Sequence, residues 1–106
     1  LYNILYYYIK TSEYAIKIHL FSNILDIDDF STIELFNKII NNKGVHHILA
    51  VSHDRDFNGG AVRLKGFYNI FIDEKNHTLF TIKKYKIEEF NAGNNKAIYF
   101  YISLEV

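Results

Sequence analysis

The sequence predicts an α+β domain in which an antiparallel sheet of about six strands carries one main helix packed on one face. Three observations lead there. Runs rich in Ile, Val, Tyr and Phe alternate with clusters of Asp, Asn, Gly and Ser, the pattern of strands and turns. Only the stretch from Ser31 to Gly44 carries a helix start signal at one end and a glycine stop at the other. The chain has 106 residues, about half of them apolar, which is enough for one core, so residues 1–106 read as a single domain.

Leu1 to Lys10 and Tyr14 to Phe21 are β-rich runs joined at Lys10-Thr11-Ser12-Glu13. The second alternates Tyr14, Ile16, Ile18 and Leu20 against Ala15, Lys17 and His19, which predicts a hairpin with one wet face. The first is apolar on both sides and holds Tyr6, Tyr7 and Tyr8 in a row, so it is expected to be covered on both faces or to meet a partner.

The helix starts at Ser31. Ser31 with Glu34 makes a capping box, and Phe30 with Leu35 makes a hydrophobic staple. Leu35, Phe36, Ile39 and Ile40 form its apolar stripe, while Asn37, Lys38, Asn41 and Asn42 lie elsewhere. Gly44 stops it, with Lys43 in the last turn.

Val45 to Ser52 is the next strand. Ala61 to Ile72 reads as a long strand with Arg63, Lys65 and Phe67 on one face, and Asp73-Glu74-Lys75-Asn76 turns it into His77 to Tyr85 as a second hairpin. Lys86 to Asn95 reads as loop, ending in Asn91-Ala92-Gly93-Asn94-Asn95. The last strand places Ile98, Phe100, Ile102, Leu104 and Val106 inward, and Ala97, Tyr99, Tyr101, Ser103 and Glu105 outward.

Twelve basic and twelve acidic residues cancel, so the chain lacks the global field that draws proteins to nucleic acid or acidic membranes. With no cysteine there is neither a disulfide nor a thiolate metal site, which suits a reducing, cytoplasmic compartment. No apolar run approaches the roughly 20 residues that span a bilayer, and no membrane partner is expected. Nine Tyr and nine Phe with no Pro or Trp match an AT-rich coding sequence, a simpler explanation of the aromatics than a stacking surface.

Asp54-Arg55-Asp56-Phe57-Asn58-Gly59-Gly60 spells the first half of a calcium-binding loop, with Asp54, Asp56 and Asn58 at alternate ligand positions and Gly59 at the sixth. Lys65 stands where the bidentate glutamate belongs, so a divalent cation would need another carboxylate, such as Asp73 or Glu74. The competing reading is that Asp, Asn and Gly cluster because they make tight turns. His46 and His47 point to opposite faces of a strand, and His47 and His53 lie roughly 20 Å apart along it, too far to share an ion. His53 or Asp54 with Asp56, joined by His19 or His77, is the remaining metal arrangement. No nucleophile motif and no phosphate loop appears, and neither a catalytic residue nor a cofactor is expected.

Arg63, Lys65, Lys83, Lys84 and Lys86, expected on adjacent hairpin strands near Tyr68, Phe80 and Tyr85, have the makings of a single-strand-binding sheet, with charge on phosphates and rings under bases. The run from Ile48 through Asp54 and the glycine loop to Arg63-Leu64-Lys65-Gly66-Phe67-Tyr68-Asn69 and on to Phe71 resembles the HUH replication initiators of small circular single-stranded DNA viruses. By that resemblance Asp54 matches the acidic metal ligand, while Arg63 and Lys65 occupy the places of the family's metal-binding pair. Tyr99 and Tyr101 follow in the order of its nucleophilic tyrosine without the accompanying lysine. The resemblance implies an RRM-like or ferredoxin-like sheet of viral or mobile-element origin that kept binding and lost nicking.

Three functions follow as expectations. The first is a non-catalytic module contacting nucleic acid through Arg63, Lys65, Lys83, Lys84 and Lys86. The second is a protein-interaction module, an inhibitor of a host protein or a homodimer, anchored by Tyr6, Tyr7, Tyr8, Tyr99 and Tyr101. The third is a divalent-metal-dependent nuclease using Asp54, Asp56 and Asn58.

Overall fold

The computed structural model describes residues 16–22, 31–53, 60–93 and 95–106. The architecture is α+β, as expected. A four-stranded sheet in the order β1-β2-β4-β3 is built from β1 (Ile16–Ser22), β2 (Val45–His53), β3 (Thr81–Ala92) and β4 (Asn95–Glu105). The helices are α1 (Thr32–Ile40) and α2 (Gly60–Ile72). The sheet is mixed rather than antiparallel, because α1 carries the chain from the end of β1 back to the start of a parallel neighbour, β2. The β2–β4 and β4–β3 pairs are antiparallel. The expected hairpin of the first two runs lies outside the described residues through its first strand, and so do Tyr6, Tyr7, Tyr8 and Phe30.

Helix α1 forms where its signals put it. The Ser31 hydroxyl accepts from the Glu34 amide at 3.3 Å, and Leu35, Phe36 and Ile39 are buried. Gly44, at φ 124, makes the exit turn and exchanges two backbone hydrogen bonds with Val106, extending the β2–β4 ladder.

Two elements correct the sequence reading. Ala61 to Ile72 is helical rather than extended. Leu64, Phe67, Tyr68 and Phe71 stand at i, i+3, i+4 and i+7, so a helix buries all four together, whereas a strand would split 64 and 68 from 67 and 71. On the helix Arg63, Lys65 and Phe67 do not share a face, since Phe67 is buried and Lys65 exposed. Lys86 to Ala92, expected as loop, is the second half of β3, paired with β4 from Thr81↔Glu105 to Ala92↔Asn95. Its Lys- and Glu-rich letters belong to an edge strand that draws its hydrogen bonds from β4. The real hairpin is therefore β3–β4, turned at Gly93 with φ 67, and a short 3₁₀ turn at Glu74–Asn76 replaces the predicted hairpin turn.

Both helices contribute to one hydrophobic cluster on one side of the sheet. Phe67 packs between Phe21 and Phe100 at centroid distances of 5.6 Å to each, and Phe36 meets Phe71 at 5.0 Å. Ile98, Phe100, Ile102 and Leu104 of β4 face this cluster as anticipated. In β1 the structure decides which of the two alternating faces is covered. Lys17, His19 and Phe21 are buried on the helix side, and Ile16, Ile18 and Leu20 are 67%, 66% and 52% exposed.

Candidate binding surface

Among the described residues no element covers the side of the sheet opposite the helices, called the open face, and the strand register assembles it row by row. One row runs Leu20, Leu49, Tyr101, Lys86; the next runs Ser22, Val51, Tyr99, Glu88; a third joins Ile18, His47, Ser103 and Lys84. Crossing from β1 to β3, the surface passes from aliphatic through aromatic to charged. Only strand register could bring these residues together, since β1 and β3 are far apart in sequence.

The aliphatic half is made of Ile16, Ile18 and Leu20 on β1 beside half-buried Val45, Leu49 and Val51 on β2. The aromatic centre is held by hydrogen bonds. The Tyr101 hydroxyl lies 2.7 Å from His47 Nδ1, and the two rings are nearly parallel at 6.0 Å. The Tyr99 hydroxyl donates to Glu88 Oε2 at 3.1 Å while Lys86 Nζ contacts Glu88 Oε1 at 3.1 Å, and Phe90 meets the Tyr99 ring edge-on. The bond from Lys86, followed by that from Tyr99, holds the Glu88 carboxyl below its ordinary range, and Glu88 in turn raises Lys86.

Tyr99 and Tyr101 thus stand on the outward face assigned to them by alternation. The five basic residues do not gather. Lys84 and Lys86 project from β3 onto the open face, and Lys83 sits at a register shift between Ile82 and Lys84. Arg63 and Lys65 belong to α2 instead of a hairpin strand, and Lys65 lies 3.9 Å from Glu89. The aromatics expected beside them are elsewhere too. Tyr68 and Phe80 are core residues, with burial raising the Tyr68 phenol. Tyr85 lines a cavity of about 440 Å³ on the helix side, with Ile72, Glu74, His77 and Phe80.

Asp54, Asp56 and Asn58 lie outside the described residues. Among the described residues no group of three or more His, Asp or Glu side chains is placed to hold a metal ion. Asp73, a suggested extra ligand, caps the 3₁₀ turn by accepting from the Lys75 amide at 3.1 Å. His19 does come beside a histidine of the neighbouring strand, but that histidine is His46, on the covered side. No helix of the described residues is long and apolar enough to cross a membrane.

The residues that sequence reasoning missed are Ile16, Ile18 and Leu20. Their alternation shows two faces of the strand, and nothing local shows which side the helices cover. Comparison with family models, with curated proteins and with solved structures returns no match, so function is read from this geometry alone.

Proposed function

We propose that the chain is a non-catalytic binding module whose working surface is the open face of the sheet, and that its aliphatic half docks protein, a second copy of the chain first of all. The observation that carries this is the β1 row, where three large aliphatic side chains, each more than half exposed, stand side by side. Single exposed apolar residues are ordinary on soluble proteins, but a contiguous patch marks an interaction surface. Among the described strands β1 is also an edge, whose outer backbone groups can take an added strand. A net charge of zero removes the repulsion that would oppose association of two copies.

Sedimentation equilibrium of the wild type and Ile18→Lys tests it. The expected result is association that strengthens with concentration and is lost in the variant, with equal melting temperatures at dilutions where the wild type is monomeric. A wild type that stays monomeric at every concentration, indistinguishable from the variant, rejects self-association.

A nucleic-acid reading keeps one observation in its favour, which is that Lys84 and Lys86 share the open face with Tyr99 and Tyr101. Against it, Lys86 is engaged by Glu88, and Arg63 and Lys65 are on a helix of the other side. Anisotropy of a labelled single-stranded oligonucleotide across a salt series decides the matter. Lys83, Lys84 and Lys86 together support a log–log salt slope of about −2, at roughly −0.7 per phosphate contact on a single strand. Binding that is absent or insensitive to salt rejects this reading.

A further inference from the structure

His19 and His46 are buried on the covered side, 5% and 0% exposed, with no aromatic or aliphatic wall between them. His19 Nε2 lies 2.9 Å from His46 Nδ1, and His46 Nε2 lies 2.6 Å from the Asn42 carbonyl oxygen. The ring planes differ by 13° with centroids 5.2 Å apart, so with nitrogens this close the rings meet edge to edge rather than face to face.

The tautomers follow from the acceptor at the end of the chain. A carbonyl only accepts, so His46 Nε2 carries a hydrogen and, in the neutral ring, His46 Nδ1 is a lone pair. His19 Nε2 must then donate to it. One hydrogen therefore occupies the junction. A second proton there sets two N–H groups against each other at 2.9 Å, and a proton on the other nitrogen of His19 makes a buried cation.

The charged surroundings add to that resistance. Lys17 on β1, 8% exposed, donates from Nζ to the Lys43 carbonyl at 2.5 Å and repels charge on both rings, while His47 on β2 does the same to His46. In the turn between α1 and β2 the Asn42 carbonyl faces His46 and the Lys43 carbonyl accepts from Lys17. Burial first, then His46 and Lys17, lowers His19 from 6.5 to about 4. His46 is lowered by burial, with the Asn42 carbonyl opposing.

The position of the pair gives it leverage. β1 is hydrogen-bonded to β2 alone among the described strands, and its covered side holds three side chains: Lys17 on the Lys43 carbonyl, His19 on His46, and Phe21 against Phe67. We propose that the His19–His46 bridge is a proton-sensitive clasp, which holds β1 in the sheet while both rings are neutral and releases that strand, with its Ile16–Ile18–Leu20 row, when the pair takes up a proton. As regulation of the docking surface, this rests on the reading of the open face given above.

Amide hydrogen exchange tests the clasp, with β1 protection measured relative to β4 at a series of pH values and corrected for intrinsic exchange. One proton taken up on opening changes the opening equilibrium about tenfold per pH unit between about 6.5 and 4. β1 protection is therefore expected to fall by about that factor per unit while β4 is unaffected. In His19→Gln, whose amide can still donate to His46 Nδ1 without titrating, the dependence should be clearly shallower, since only His46 can then take up a proton. Constant relative protection in the wild type, or an equal slope in the variant, overturns the clasp. Ring nitrogen NMR of the wild type is independent of the variant's folding: both rings neutral with hydrogen on Nε2 below pH 6.5 upholds it, and hydrogen on Nδ1 overturns it. Sedimentation across the same pH series separates the two ideas. Exchange that switches in a protein that never associates upholds the clasp and removes the docking reading, and constant exchange in a protein that associates does the reverse.

Discussion

His46 and His47 are consecutive residues of β2, and the sheet puts them in different surroundings. His46 faces the helices, is fully buried, and has both ring nitrogens committed to His19 and to the Asn42 carbonyl. His47 faces the open side, half-buried, with its Nδ1 against the hydroxyl of Tyr101 on the next strand. The same division runs through the whole sheet. The covered face has aromatic packing around Phe67 and a buried polar pair with no solvent to relax it, whereas the open face has aliphatic side chains in water and hydrogen bonds that solvent can replace. Stability is therefore concentrated on one side of β2 and the proposed docking surface lies on the other, so substitutions on the two sides should separate in stability measurements.

The largest effect is expected at Phe67→Ala. It removes a ring that touches Phe21, Phe71 and Phe100 and leaves a cavity, so urea unfolding should show a loss of about 3–5 kcal/mol. A loss below about 1 kcal/mol would break the comparison, because the covered face would then not be a close-packed core.

The next is the pH dependence centred on His19. Its folded value, about 4, lies below the ordinary 6.5, so between those values the unfolded chain binds more protons than the folded one. The contribution is fully present above pH 6.5 and is lost as the pH falls toward about 4, on the order of 3 kcal/mol by linkage. The difference between wild type and His19→Gln in denaturant unfolding isolates it from the carboxylates, and parallel profiles would remove His19 as the cause.

Smaller losses mark local geometry. Gly93→Val forces a branched side chain into φ 67 at the β3–β4 turn and should lower stability by about 1–2 kcal/mol. Ser31→Ala removes the acceptor for the Glu34 amide and should lower it by about 1 kcal/mol. Both are read as shifts in the unfolding midpoint at constant slope. The smallest is Ile18→Lys on the open face, expected within about 0.5 kcal/mol of wild type, since it exchanges one solvated side chain for another. A loss as large as that of Phe67→Ala would mean that the open face is covered and that the division drawn here is false.

Much of this plan is legible in local sequence because its signals are local. The Ser31–Glu34 cap and the Gly44 exit fall within one helix's length, and the alternation in Ile98 to Leu104 belongs to a strand with one greasy face, which placed Tyr99 and Tyr101 outward. Of the candidate surface, those two tyrosines together with Lys84 and Lys86 are legible in the sequence. Arg63 and Lys65 alternate as a strand would, but burying Leu64, Phe67, Tyr68 and Phe71 together requires a helix and takes both cations to the helix side of the sheet. The first part of β3, to Tyr85, reads as strand, whereas its Glu- and Lys-rich continuation from Lys86 to Ala92 carries little strand signal of its own and is owed to backbone bonds from β4.

The sequence alone thus determined the α+β class, α1 and its ends, β2, and the inward row of β4. Tertiary structure decided the parallel β1–β2 pairing, the identity of α2, and above all which side of β1 is covered. Alternation of Ile16, Ile18 and Leu20 with Lys17, His19 and Phe21 says that the strand has two faces without saying which is dry. That depends on what lies across from each: Phe67, His46 and the Lys43 carbonyl, residues 26 to 46 positions further on, supply the ring and the hydrogen-bond partners that make burial of Lys17, His19 and Phe21 favourable.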